Sequence, residues 1–211
     1  IRDRIIGRLN TQNLPEKDER EAVETITELI EYYKGIFTIL SSCAARQLEE
    51  VTFRRNTIPV QELFDAAGKY FRKVTKNRTE KVELIIEPMD AKVIGDVNQL
   101  RFLFENLIDE ALAVREEGVI RLQARKDNEY IRFLFTDTRR EKSVTELNQL
   151  FYPNLARMTS GEKGELRGTE YLICKQIIRD HDEFAGRRGC RINAEPAEGG
   201  GFTVYFTIPR R

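Results

Sequence analysis

The side chains best suited to nucleophilic or soft-metal chemistry are few and far apart. The chain has three cysteines, Cys43, Cys174 and Cys190, and one histidine, His181. Their spacing matches neither a disulfide framework nor a zinc site, so we predict reduced, mostly buried thiols. A single histidine excludes any mechanism that needs two, and we assign His181 no catalytic role.

The charge balance excludes several classes of partner. The chain has 35 basic and 35 acidic residues, which gives no electrostatic footprint for nucleic acid or an anionic membrane. No apolar run is long enough to span a bilayer, and no signal peptide is visible. We therefore expect a cytoplasmic fragment with no membrane contact of its own. Because the sequence begins with Ile1, we expect it to be part of a longer chain that could carry a membrane anchor upstream.

Residues 1–55 predict an antiparallel helical hairpin whose first helix is truncated. Pro15 suits the first turn of the second, longer helix. That helix carries a stripe of nine residues spaced alternately by three and four, eight of them apolar: Val23, Ile26, Ile30, Tyr33, Phe37, Leu40, Ala44, Gln47 and Val51. Such a stripe is typical of a bundle seam, and two copies can form a four-helix bundle. We predict a homodimer through residues 14–51; the alternative is that the stripe packs on the rest of its own chain.

Residues 56–211 predict a sheet with helices on one face. Apolar residues at helical spacing predict three helices, at 60–74, from an expected cap at Asp96 to Ala111, and at 171–178. Apolar runs, several of them alternating, predict five strands, at 82–87, 119–125, 130–136, 189–194 and 202–208. We expect a connector at 52–58 and a polar, lid-like stretch from about 137 to 168. The predicted fold class is α+β, a helical hairpin followed by a two-layer α/β sandwich with a mixed sheet.

Five segments in order resemble the core of the two-component sensor histidine kinases. They are VIGDVNQLRFLFENLIDEAL, FLFTDT, QLFYP, RGTEYLICKQIIRDH and AEPAEGGGFTVYFTIP. The resemblance covers nearly the whole chain and implies a dimerisation hairpin at 1–55 and an ATP-binding domain of the GHKL type at 56–211.

The resemblance also implies a set of candidate site residues. Asn106 matches a family asparagine that presents Mg²⁺ and phosphate ligands, and Glu110 stands where the magnesium-binding asparagine is expected. A carboxylate is a hard oxygen ligand, so Glu110 is compatible with Mg²⁺, but its charge disfavours nearby phosphates when no metal is present. The alternative for Glu110 is a solvated acid on the helix face. Asp137 matches the family aspartate that accepts a hydrogen bond from the adenine amino group.

The family glycines that meet the nucleotide are largely replaced. Arg139 and Arg140 follow Asp137 where glycines are expected, and we favour a solvated basic turn over phosphate binding. Gly168 is retained, but Leu166 and Glu170 replace its neighbouring glycines. Glu170 puts an acid at a helix N-terminus that would otherwise receive phosphate.

The first interpretation of this pattern is a degenerate, pseudokinase-like signalling module. It expects no cofactor, a homodimer, and a response regulator or another kinase as partner. The second is an active ATP-dependent histidine kinase whose phosphoacceptor histidine lies before Ile1, with Asn106, Glu110, Asp137 and Gly168 binding Mg-ATP. The third is a gyrase-type ATPase without phosphotransfer, which the predicted hairpin disfavours. His181 matches a structural position of the family.

Overall fold

The computed structural model describes residues 53–152 and 169–211. The predicted hairpin at 1–55, apart from its last three residues, and the dimer interface at 14–51 lie outside the described residues, as do Leu166 and Gly168. Within the described residues, no helix is long and apolar enough to cross a membrane.

Seven strands and four helices make up the described part of the chain. In chain order they are β1 (Asn56–Pro59), α1 (Val60–Thr75), β2 (Val82–Ile86), β3 (Lys92–Gly95), α2 (Val97–Leu112), β4 (Gly118–Asp127), β5 (Tyr130–Asp137), α3 (Val144–Gln149), α4 (Thr169–Phe184), β6 (Ile192–Pro196) and β7 (Phe202–Pro209). The three long helices and five of the strands occupy the positions that the sequence predicts.

The main sheet has five strands in the order β2-β4-β5-β7-β6. β2 and β4 are parallel, and the other neighbouring pairs are antiparallel. This arrangement confirms the predicted α+β class with a mixed sheet. The β4–β5 hairpin turns at Asn128, which has a positive φ of 53°, a conformation that asparagine tolerates better than most residues.

Three elements were not predicted. The short strands β1 and β3 pair antiparallel, although residues 52–58 were expected to be a connector and no strand was expected at 92–95. Within the expected lid, α3 begins at Ser143, whose hydroxyl accepts the backbone N–H of Glu146, and the Glu146 side chain returns to the Ser143 backbone N–H. This capping box is readable from the Ser-x-x-Glu spacing and supplies partners for two N–H groups at the helix terminus.

Phenylalanine side chains form the centre of the core, between the helices and one face of the sheet. Phe64 of α1, Phe104 of α2, Phe133 of β5 and Phe206 of β7 are all fully buried. The rings of Phe133 and Phe206 stack with centroids 4.9 Å apart, and Phe64 and Phe104 meet Phe133 edge-on at 6.0 and 5.8 Å. Burying a phenylalanine contributes roughly 1.5–3 kcal/mol, so this cluster fixes α1 and α2 on the sheet.

The other face of β7 is more buried than its alternation predicts. Thr203 and Thr207 alternate with the apolar residues of β7 and so belong to the face away from the helices, but they are only 6% and 5% exposed. The hydroxyl oxygens of Thr203 and Thr136 lie 2.8 Å apart, and the Thr207 hydroxyl donates to Gly189 O while accepting the Arg191 N–H. Hydrogen bonding to neighbouring strands and the 189–191 segment therefore buries hydroxyl groups that a two-face pattern assigns to solvent.

Candidate functional site

The residues predicted on α2 lie one turn apart near the carboxyl end of that helix. α2 begins at Asp96, whose carboxylate accepts the N–H groups of Asn98 and Gln99 at 2.9 and 3.2 Å, confirming the expected cap. Asn106 is 7% exposed and its amide donates to Phe102 O at 2.6 Å. This internal bond directs the amide nitrogen of Asn106 back toward its own helix.

Glu110 is 6% exposed, so the solvated-acid alternative for this residue is wrong. It is buried because α4 packs against α2. Tyr171 of α4 is also buried, and burial followed by the nearby Glu110 charge raises the pKa of its phenol well above the ordinary value. Burial, assisted by the charges of Glu170 and Glu110, likewise raises the pKa of the Cys174 thiol. Glu110 therefore lies close to the Tyr171 and Cys174 side chains of α4.

Asp137 ends β5 and is 1% exposed. The Arg139 guanidinium forms a bidentate pair with this carboxylate: Nε donates to Oδ1 at 2.8 Å and Nη2 donates to Oδ2 at 2.9 Å. The backbone N–H of Arg139 also donates to Oδ1, at 3.1 Å. A charge-assisted pair of this geometry is among the stronger polar contacts in proteins, and its burial lowers the dielectric screening between the charges.

The other N–H groups of the Arg139 guanidinium donate hydrogen bonds to main-chain carbonyl oxygens. Nη2 donates to Ala111 O at 2.7 Å and Nη1 donates to Glu116 O at 3.1 Å. The Arg139 side chain is 1% exposed. It therefore joins the end of β5 to the last turn of α2 and to the segment that leads into β4.

Arg140 also donates a hydrogen bond to the Asp137 carboxylate. Its Nε donates to Asp137 Oδ2 at 3.2 Å, its Nη2 donates to Glu110 O at 3.4 Å, and its guanidinium carbon lies 5.7 Å from the centre of the Phe202 ring. The Arg140 side chain is 13% exposed. The expected solvated basic turn is wrong, because the buried Asp137 charge and the carbonyls at the end of α2 draw both arginines inward.

Two glycines leave room for this arrangement. Gly118, at the start of β4, has a φ of 136°, and a Cβ there would lie 2.8 Å from Arg139 Cγ. Gly201, at the start of β7, has a φ of 83°, and a Cβ there would overlap the Asp137 carbonyl oxygen. Both glycines therefore combine a backbone conformation that side chains disfavour with close approach to the Asp137–Arg139 pair.

α4 presents an acid to the same region. Glu170 lies in its first turn. Asp109 of α2 has its pKa raised, chiefly by burial and also by the Glu170 charge. Asp109 also accepts a hydrogen bond from the Tyr70 hydroxyl of α1 at 2.8 Å, so it connects α2 to α1 while lying close enough to α4 to experience the Glu170 charge.

His181 lies inside the α4 packing surface and makes structural contacts. The ring is fully buried; Nδ1 lies 2.8 Å from Ile177 O and Nε2 accepts the Asp96 N–H at 3.1 Å. A Cβ on Gly95 would lie 2.8 Å from two ring atoms, so glycine is needed beside it. The His181 ring therefore links α4 to the backbone at the N-terminus of α2.

Asn106, Glu110 and Asp137, together with the two arginines, form what we call the α2–β5 cluster. The described residues contain no group of three or more His, Cys, Asp or Glu side chains placed to hold a metal ion. Sequence reasoning missed that Arg139 and Arg140 are ligands of Asp137; the signal available was their position two and three residues after a strand-ending aspartate. Cys174 and Cys190 are free thiols, buried and half-buried, as predicted.

A separate cleft of about 270 Å³ lies between α1 and β2 and shares no residue with the α2–β5 cluster. Phe64, Ile86 and Pro88 contribute apolar surface to it, and Lys69 and Arg72 are among its polar residues.

Comparison with solved structures finds histidine kinases. The nucleotide-free catalytic domain of histidine kinase ThkA is 19% identical with a TM-score of 0.58, covering 74% of this chain and 96% of that one. The mycobacterial sensor histidine kinase MprB is 18% identical with a TM-score of 0.56, covering 75% and 99%. ThkA in complex with response regulator TrrA is 17% identical with a TM-score of 0.62, covering 100% of this chain and 57% of that one. At these identities the likeness establishes the fold.

The sequence comparison gives the family directly. No curated protein sequence matches the chain significantly. Residues 95–211, more than half of the chain, match the family described as histidine kinase-, DNA gyrase B- and HSP90-like ATPases. That segment contains α2, the five-residue α2–β5 cluster, α4 and the closing strands. The chain therefore belongs to the histidine kinase-, DNA gyrase B- and HSP90-like ATPase family.

Proposed function

We propose that this chain is a histidine-kinase-like signalling module of a two-component system whose nucleotide site is closed. The observation that carries the proposal is the double engagement of Asp137 by Arg139 and Arg140 in a buried setting. The module transmits signals through protein contacts and does not itself transfer phosphate.

The strongest support for a closed nucleotide site comes from Asp137, at the end of the site where the base would bind. Family resemblance assigns Asp137 to the adenine amino group, but three N–H donors of Arg139 already lie 2.8–3.1 Å from its oxygens. A neutral amino group would have to displace a charged guanidinium from a buried carboxylate. Separating a buried ion pair costs about 3–5 kcal/mol, which would consume much of the binding energy of a micromolar ligand.

The phosphate end supports closure for an electrostatic reason. Glu110 is buried beside α4, and Glu170 lies in the first turn of that helix. A helix N-terminus attracts phosphate through its N–H groups and dipole, and an acid in the first turn competes for that favourable position. Nucleotide binding would therefore bring phosphate charge toward two carboxylates.

The partners follow from the architecture. We propose a homodimer through residues 14–51, with the former ATP-binding domain offering a surface to a response regulator or another kinase. ThkA has been solved in complex with a response regulator, which makes that class the first partner to test. Signals would pass as shifts between two packings of the dimer bundle.

An active ATP-dependent histidine kinase is the second candidate, and the survival of Asn106 and Asp137 favours it. In that case Asn106, Glu110, Asp137 and Gly168 would hold Mg-ATP, with Mg²⁺ on the oxygen atoms of Asn106 and Glu110. The phosphoacceptor histidine would lie before Ile1.

Thermal unfolding with and without Mg-ATP separates the two candidates. A ligand present at 100 times its Kd adds about 2.7 kcal/mol to the free energy of unfolding of the state that it binds. We expect no change in Tm at millimolar Mg-ATP, with Mg²⁺ alone and Mg-GTP as controls for ionic effects. A rise in Tm specific to Mg-ATP would support the active kinase and contradict the closed site.

A further inference from the structure

Arg139 makes the set of contacts that a bound planar ligand would make. Its guanidinium donates four hydrogen bonds to three groups, namely the Asp137 carboxylate, Ala111 O and Glu116 O. The acceptors come from the end of β5, the last turn of α2 and the segment before β4. A flat, donor-rich group thus occupies a site lined by acceptors on three sides.

The route of the side chain into this site is also built into the fold. The Arg139 side chain is 1% exposed, and its Cγ would lie 2.8 Å from a Cβ on residue 118. Glycine at 118, with a φ of 136°, is what allows the aliphatic stem to enter. The buried guanidinium is therefore accommodated by a second residue distant in sequence.

We propose that Arg139 is an internal ligand of the base pocket and that its removal leaves a site for a small planar donor, either a guanidinium-type cation or adenine. This inference rests on the proposed closure of the nucleotide site and states what closes it. Because Arg139 is covalently attached, it competes for the site at a fixed effective concentration, whereas stabilisation by a diffusible ligand rises with its concentration.

The fork geometry distinguishes this role from simple neutralisation of Asp137. Arginine presents planar N–H donors in two directions at once, while lysine is a compact point charge on a flexible stem. Arg139 uses both sides of its fork, one toward the carboxylate and the other toward two carbonyls. Arg139→Lys should therefore retain the charge but lose most of the bridging.

The test is chemical rescue of Arg139→Ala, followed by thermal unfolding. We expect the variant to melt several degrees below the original chain, methylguanidinium at low millimolar concentration to restore part of the loss, and adenine to raise its Tm as well. Neither compound should raise the Tm of the original chain. Arg139→Lys should also melt below the original chain, and methylguanidinium should restore it less than it restores Arg139→Ala.

Arg132→Ala is the matched control. Arg132 also pairs with an aspartate through Nη2 and Nε, which lie 3.0 and 3.2 Å from Asp127 Oδ2, but its side chain is 42% exposed. Solvent already fills the space around it, so methylguanidinium should not raise the Tm of this variant. Rescue of Arg132→Ala equal to that of Arg139→Ala would show a general solvent effect and overturn the inference.

A second readout and a double variant complete the test. If Arg139→Ala alone does not fold, recovery of folded protein in methylguanidinium becomes the readout, and no recovery would overturn the inference. Asp137→Asn combined with Arg139→Ala removes the carboxylate that methylguanidinium would bind, so the double variant should lose the methylguanidinium response, while Arg140 loses its partner in the same change. A double variant that keeps the response would overturn the inference, as would Arg139→Ala that folds but responds to neither compound. Those failures leave the closed nucleotide site standing, whereas Mg-ATP binding by the original chain would overturn the closed site itself.

Discussion

A charged side chain that is buried needs ionic or hydrogen-bonding partners within the protein, and Asp137 has two. Its carboxylate is buried at the end of β5, and Arg139 and Arg140 supply donors from the next turn of chain. At the scale of single residues, our proposal of a closed site depends on this pairing, because an adenine amino group would need the acceptor oxygens that both arginines already occupy.

His181 provides a pH prediction at this scale. Burial, outweighing the hydrogen bond to Ile177 and the charges of Asp96 and Asp180, lowers the pKa of the imidazole below its ordinary value. The unfolded chain therefore binds a proton at a higher pH than the folded chain does. Stability is fully present above the ordinary pKa of about 6.5 and falls as pH drops below it, by about 1.4 kcal/mol for each unit of pKa lowering.

The measurement is Tm between pH 7.5 and 5.5, compared with that of His181→Gln. Glutamine offers an acceptor for the Asp96 N–H but does not titrate. We expect the variant to be less stable at neutral pH and to have a shallower pH dependence below pH 6.5. Parallel curves for the two proteins would contradict a titrating, buried His181.

The sequence identified the candidate residues but did not predict the burial of Glu110 or the partners of Asp137. Asn106, Glu110 and Asp137 were identified from family motifs, and the structure places all three in buried positions of one region. The inward turn of Arg139 was not predictable, because it depends on carbonyls of Ala111 and Glu116 that only the folded chain brings within reach. The local sequence predicts that both arginines are exposed to solvent, whereas contacts formed only in the folded chain bury them.

At the scale of elements, periodicity predicted those elements whose apolar faces are continuous. The helices α1, α2 and α4 and the strands of the main sheet follow their apolar spacing closely. β1 is only four residues long and ends at Pro59, so no alternation develops in it, and its partner β3 is equally short. Pairing between distant short segments leaves almost no local signal, which is why the two-stranded sheet was missed.

Gly118 yields a prediction at the scale of elements, because it lets Arg139 cross the start of β4. Gly118→Ala would add a methyl group 2.8 Å from Arg139 Cγ at a positive φ. Gly199→Ala, in the turn before β7, is the matched control, since its φ of 90° is also positive but nothing lies within 4 Å of the added methyl group. We expect Gly199→Ala to cost about 1–2 kcal/mol of unfolding free energy from backbone strain.

Gly118→Ala should cost roughly 1–3 kcal/mol more than the control, from overpacking against Arg139. Denaturant unfolding of the two variants measures the difference. Equal losses would mean that the Arg139 stem does not pass beside β4 in solution. In the Arg139→Ala background the extra cost should shrink, because the side chain that the methyl group meets is gone.

At the scale of the whole molecule, the family architecture of residues 95–211 joins a stretch whose sequence predicts dimerisation. The heptad stripe from Val23 to Val51 is the basis of that expectation. If nucleotide chemistry is lost, as we propose, a conformational change in this module has a function only when another chain responds to it. On that proposal, we expect dimerisation and partner binding to be the functions that selection has kept.

The dimer prediction is tested by sedimentation at several protein concentrations. We expect a homodimer, and replacement of Ile30 or Phe37 by aspartate should shift it to monomer, because a buried charge disrupts a bundle seam. Glu28→Gln, outside the stripe, is the control and should remain dimeric. A chain that sediments as a monomer at all concentrations, or one indifferent to both substitutions, would contradict the predicted interface.

The most direct test of the closed site observes Arg139 itself during exposure to nucleotide. In a nitrogen-15 NMR titration, the Nε–H signal of Arg139, identified by its loss in Arg139→Lys, reports its hydrogen bond to Asp137. We predict that this signal is protected from solvent exchange and stays unshifted at millimolar Mg-ATP. A shift or disappearance of the signal that saturates with Mg-ATP would show that the base displaces the guanidinium, and the account of a filled pocket would be wrong.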